Sequence, residues 1–173
     1  MRPHIDPEVV GEAALIVRTD YSDDATWQDV VATLEAEHPL GFRPDNHFVD
    51  DPAWAGASAD EVLAVAPGEN GVVFLADAVT MRPPHPLLAV NTVTRDDCED
   101  DYEFTYEMSH GREFRVLPGG VSDVAVNLLI ANTDFPDFAL TAKDDPDGWY
   151  RGVAAHPRGE EAMDALRDFL RGV

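Results

Sequence analysis

The sequence predicts an α/β fold: a single-domain layered sandwich with a central mixed β-sheet flanked by helices. Three observations predict it. The apolar run Gly-Val-Val-Phe-Leu-Ala-Asp-Ala-Val-Thr-Met at 71–81 has the length and composition of a strand buried on both faces. Strand-like and helix-like segments alternate through the first half of the chain. Of the 173 residues, 45% are hydrophobic, enough for one real core at the size of one domain.

The elements follow in order. Residues 1–12 read as an extended leader. Ala-Ala-Leu-Ile-Val-Arg-Thr at 13–19 reads as the first strand, ending at Asp20. Ser22 is placed to cap a helix whose first turn carries Asp23 and Asp24, where the helix dipole favours acids. Trp27, Val30, Val31 and Leu34 form its apolar stripe, and His38-Pro39 stops it. A loop at 41–46 leads to a short strand at 47–50. Ser58 and Glu61 have capping-box spacing for a helix over 59–66. The central strand comes next, then a rigid Pro-Pro-His-Pro connection at 83–86 and a strand at 87–93.

Tyr102, Phe104, Tyr106 and Met108 alternate with polar residues. With a turn at Ser109-His110-Gly111 and further alternation at Phe114 and Val116, this predicts a β-hairpin. Ser122 is placed to cap another helix, and 132–138 reads as a turn or a short second helix. Asp-Asp-Pro-Asp-Gly at 144–148 is turn chemistry. A final helix is expected over 160–171, in a C-terminal extension covering 153–173.

Charge excludes some functions. The formal net charge is −22, a field that repels nucleic-acid phosphate and anionic lipid and attracts a basic partner. Lys143 is the only lysine, and Asp outnumbers Glu. A GC-rich coding genome or a salt-adapted proteome produces that bias equally well. Cys98 stands alone, so no intramolecular disulfide forms, which suits a reducing cytoplasm. The N-terminus does not read as a signal segment, and no apolar run approaches membrane-spanning length.

The chemistry-bearing candidates are acids. Asp20, Asp50, Asp51 and Asp77 each follow an apolar strand. If those strands run parallel, their carboxyl ends share the sheet edge where open α/β sheets hold ligands. Carboxylates gathered there repel unless a cation intervenes, and Mg²⁺ is the natural filler because it prefers oxygen ligands. Thr92 would join that rim. The layout is similar to the acidic pocket of response-regulator receiver domains, although Lys143 does not sit where a receiver's lysine would. The alternative is that these acids cap the next helices or start turns.

Trp149, Tyr150 and Arg151 have the composition of an interface hot spot, and equally of an aromatic anchor. The six histidines show no metal-ligand spacing, Cys98 among acids is a poor nucleophile, and no nucleophile-elbow, Walker or dinucleotide motif is present. No cofactor follows from the sequence beyond the Mg²⁺ alternative.

Several stretches are familiar together. They are Leu-Ile-Val-Arg-Thr-Asp-Tyr-Ser-Asp-Asp-Ala-Thr-Trp at 15–27, Phe-Val-Asp-Asp-Pro-Ala-Trp at 48–54 and Phe-Leu-Ala-Asp-Ala-Val-Thr at 74–80. His-Pro-Leu-Leu-Ala-Val at 85–90, Arg-Glu-Phe-Arg-Val-Leu-Pro at 112–118, Asn-Leu-Leu-Ile-Ala-Asn-Thr-Asp-Phe at 127–135 and Asp-Gly-Trp-Tyr-Arg-Gly at 147–152 continue the series. Over roughly 13–152 the chain resembles an uncharacterised bacterial family, a domain of unknown function. The resemblance implies no activity. The chain departs from the pattern between 118 and 127, where relatives carry a Trp-containing stretch rich in Glu and Asn. The loop at 94–102 and the tail after 153 look like additions.

The expectation is therefore a cytoplasmic, non-enzymatic protein-interaction domain of regulatory or immunity type, facing a basic protein partner. Two alternatives stand beside it. One is a divalent-metal enzyme on the strand-end acids; the other is a housekeeping protein whose acidity reflects its host.

Overall fold

A computed structural model describes residues 2–66 and 70–155. Six strands form one mixed sheet: β1 (Ala14–Arg18), β2 (Asn46–Val49), β3 (Val72–Ala76), β4 (Leu87–Asn91), β5 (Glu113–Val116) and β6 (Trp149–Tyr150). Their spatial order is β2-β1-β3-β4-β5-β6. β1 is parallel to β2 and β3, β4 is antiparallel to β3 and β5, and β6 is parallel to β5. Every strand except β4 therefore points the same way.

β1 and β3 are buried along their whole length, as expected of strands covered on both faces. Their alternate residues feed two cores. Ala14, Ile16, Phe74, Ala76, Phe114 and Val116 enter one, with the helices α2 (Asp24–Leu34), α5 (Val121–Leu129) and α6 (Phe135–Asp144). Leu15, Val17, Val73, Leu75 and Val90 enter the other, with Trp54 and with Val62 of α3 (Ala59–Leu63). Each fully buried side chain of this size contributes about 1.5–3 kcal/mol. Phe114, Phe135, Phe138 and Tyr150 form a ring cluster, with Phe114–Phe135 centroids 5.0 Å apart.

Local chemistry sets the ends. Asp23, one residue past the expected Ser22, caps α2 by accepting the Thr26 amide. The Ser58–Glu61 capping box forms as its spacing predicts. Residues expected to be extended at the start instead make one helical turn, α1 (Pro7–Val10), because Asp6 caps it and Ile5 and Val10 bury into the second core.

The predicted hairpin over 102–116 is replaced in its first half by a helix, α4 (Asp101–Glu107). Asp100 caps it through the Glu103 amide, and Asp101 and Glu103 sit in its first turn. β5 has no open edge for a hairpin partner, since β4 and β6 already flank it. α5 begins after a 3₁₀ turn, Pro118–Gly120, with Gly120 rather than Ser122 as its cap. α6 extends well past the short helix expected at 132–138. The helix expected over 160–171 lies outside the described residues.

Candidate functional site

The topology brings the carboxyl ends of β1, β2 and β3 to one edge, so Asp20, Asp50, Asp51 and Asp77 do share it. Thr92 does not. β4 is antiparallel, which puts Thr92 at the opposite edge, where its amide donates to the Gly71 carbonyl.

Positive charge at this rim comes from within the chain. Arg18, the last residue of β1, is 4% exposed. Its guanidinium donates to Asp50 at 3.3 Å and to Asp24, and its Nε donates to the Asp20 carbonyl. The Tyr21 ring lies 4.2 Å from it and the Trp27 ring 5.4 Å. The other Asp50 oxygen accepts Trp27 Nε1 at 2.8 Å. Burial, and then the Asp50 charge, push the Tyr21 hydroxyl up to about 12.

Asp77 is held in a two-pronged bridge by Arg115, at 2.9 and 2.7 Å, and accepts the Val79 and Thr80 amides. Burial pushes its carboxyl up, but Arg115 and those amides outweigh burial and hold it below the usual carboxylate range. Asp20 accepts the Ser22 amide and hydroxyl, and Asp51 caps a 3₁₀ turn through the Ala53 amide. Each strand-end acid is thus engaged by a turn, an arginine or both. Among the described residues, no group of three or more His, Cys, Asp or Glu is arranged to hold a metal ion.

The crevice between β1 and β3 is where the chain order switches sides, and it is stitched shut. The Thr19 and Asp20 amides both donate to the Ala76 carbonyl, and the Gly56 amide donates to the Thr19 carbonyl.

The Trp149–Arg151 corner is likewise turned inward. Arg151 donates to Asp145 at 2.6 and 3.0 Å and to Asp147, and stacks over the Trp149 ring. Hydrogen bonding from Arg151, ahead of the Asp147 and Trp149 amides, lowers the Asp145 carboxyl to about 2. Tyr150 is buried in the ring cluster.

Another surface stands out. α4 presents Tyr102 and Tyr106 one turn apart, 81% and 41% exposed. The C-terminal half of α5 and the turn after it present Val126, Leu129 and Ile130, the last 63% exposed. Tyr106 joins the two by donating to Asp134, in the turn between α5 and α6. Partial burial, then Asp137, Asp134 and Glu107, push the Tyr106 hydroxyl up, so these acids crowd round it. Arg95 and Arg112, the cations that flank α4 in sequence, bridge to Asp101 and Asp60. Lys143 lies in the last turn of α6.

The end of α5 is stiffly built. Asn132 donates from its backbone to the Asn127 carbonyl and from its side chain to the Asn127 side chain. Ala131 between them takes φ 51°, a left-handed conformation unfavourable for alanine.

A family model described as a domain of unknown function, DUF6924, matches residues 13–153. The chain belongs to this family. No curated protein and no solved structure matches it. The matched span contains the strand-end rim, the Trp149 corner and the α4–α6 face.

Proposed function

We propose that this DUF6924 protein acts through protein contacts rather than catalysis, offering the α4–α6 face to a basic partner as a regulatory or immunity-type binder. The observation that carries this reading is the exposed set Tyr102, Tyr106, Val126, Leu129 and Ile130 on α4 and the end of α5, with Glu107, Asp134 and Asp137 close to the Tyr106 hydroxyl. Interfaces favour such a set: aromatic and aliphatic anchors at the centre, with charge around them to steer and orient the partner. A chain of net charge −22 attracts a basic protein from a distance.

The metal-dependent alternative on Asp20, Asp50, Asp51 and Asp77 has less support, since Arg18 and Arg115 occupy the place a cation would take. A cytoplasmic setting agrees with the lone Cys98. Among the described residues no helix is long and apolar enough to cross a membrane. The test is affinity capture from extract of the natural host. The reading predicts one basic protein recovered in near-stoichiometric amount at low salt and released by a few hundred millimolar salt. Recovery of only acidic or salt-insensitive partners contradicts it.

A further inference from the structure

The edge of the sheet formed by β2 is open. β2 is hydrogen-bonded to β1 on one side and to no strand on the other. The parallel register sets Asn46 beside Ala14 and Phe48 beside Ile16, and the Ala14 amide donates to the Asp45 carbonyl. In a parallel ladder that pattern turns residues 45, 47 and 49 towards β1, and turns the amides and carbonyls of Asn46 and Phe48 outward. None of those outward backbone groups has a partner among the described residues. The strand, Asn-His-Phe-Val, contains no lysine, proline or glycine to blunt the edge. The opposite edge is blunted by brevity, since β6 has only two residues. β2 is also firmly seated: Phe48 packs edge-on to Trp27 with centroids 6.1 Å apart, and Val49 packs against the second core.

A row of unpaired amides and carbonyls on a fixed strand is complementary to one thing, another extended backbone. Charge says which kind. Asp45 precedes the strand and Asp50 and Asp51 follow it, all exposed. Between residues 36 and 51, Arg43 is the one arginine or lysine against these acids and Glu37. A second copy of this chain is the wrong occupant, because strand pairing would lay these acids against their own counterparts on a molecule that already carries −22. We infer that β2 accepts an extended segment of another protein as an added strand, with an apolar residue opposite Phe48 and lysine or arginine at its ends to meet Asp45, Asp50 and Asp51. This edge is separate from the α4–α6 face, and the inference does not rest on that face.

The test is an amide NMR titration of the whole protein, with hydrogen exchange, using end-capped peptides. The probes are Arg-Thr-Val-Thr-Arg, the same peptide N-methylated at every amide so that it cannot donate, and Glu-Thr-Val-Thr-Glu. The basic peptide is expected to give saturable shifts centred on Asn46, Phe48 and Asp50, and to slow exchange of the Phe48 amide. The N-methylated form should bind about tenfold weaker, the worth of one or two lost hydrogen bonds. The acidic peptide should bind at least about tenfold weaker than the basic one, and the difference should shrink in high salt. Shifts confined to other surfaces, or none that saturate at β2, overturn the inference. Equal binding of the N-methylated peptide overturns strand addition, and equal binding of the acidic peptide overturns the basic partner. Protection of the Phe48 amide that grows with protein concentration alone would give the edge to a second copy and overturn the inference as well.

Discussion

Arg151 and Asp145 show how single residues report on this fold. The Asp145 carboxyl is depressed to about 2 by Arg151, well below an unfolded aspartate near 3.9. A depressed carboxyl stabilises the folded state above the unfolded value, and the gain is lost as pH falls towards the folded one. Stability is thus expected to drop between about pH 4 and pH 2, and Arg151→Gln should move the Asp145 titration midpoint upward by carbon-detected NMR. An unmoved midpoint would remove Arg151 as the cause. Asp77 obeys the same sign, and Asp77→Asn leaves the Arg115 guanidinium half-buried without its charge partner. A loss of about 1–3 kcal/mol is expected by urea melts, at the lower end because both groups stay partly wet. At this scale the sequence was only partly legible. The strand-end acids were visible because each follows an apolar run. Arg18 as their counter-charge was not, because an arginine closing a strand reads as a surface residue. The His38–Asp123 contact joins residues 85 apart, beyond any local pattern.

Elements were legible where burial decides them and illegible where the pattern fits two periods. β1 and β3 announced themselves as apolar runs, and α3 by its capping box. Tyr102, Phe104, Tyr106 and Met108 alternate as a strand would, yet Asp100 and the first-turn acids fix a helix. Read as a helix, Tyr102 and Tyr106 share a face, which was the missed signal for the candidate surface. Strand direction is also absent from hydrophobic patterning, which is why Thr92 fell on the wrong edge. Two variants probe the elements around α5. Ala131→Gly relieves a left-handed alanine costing about 1–2 kcal/mol, partly offset by glycine's greater unfolded freedom. A net gain of about 0.5–1 kcal/mol in thermal or urea unfolding is expected. Gly120→Ala goes the other way: its Cβ would stand 2.9 Å from the Gly152 amide nitrogen, backbone against backbone. It should cost about 1–3 kcal/mol by the same assay, as overpacking does.

The whole molecule is a strongly acidic sheet protein whose strand-end rim is closed by its own arginines and whose outer helices expose apolar groups. The mixed sheet flanked by helices was predictable from the alternation of elements, whereas the display of Ile130 and Tyr106 depends on how α4, α5 and α6 come together. The two surfaces make opposite claims about where function resides, and one measurement separates them. Capture of the basic partner is run in parallel with wild type, Ile130→Asp and Asp77→Asn, each checked for folding by circular dichroism. Ile130 is largely exposed, so its substitution leaves the core intact. Ile130→Asp is expected to lose the partner and Asp77→Asn to keep it. Retention by Ile130→Asp together with loss by Asp77→Asn would overturn the assignment of function to the α4–α6 face and return it to the strand-end rim.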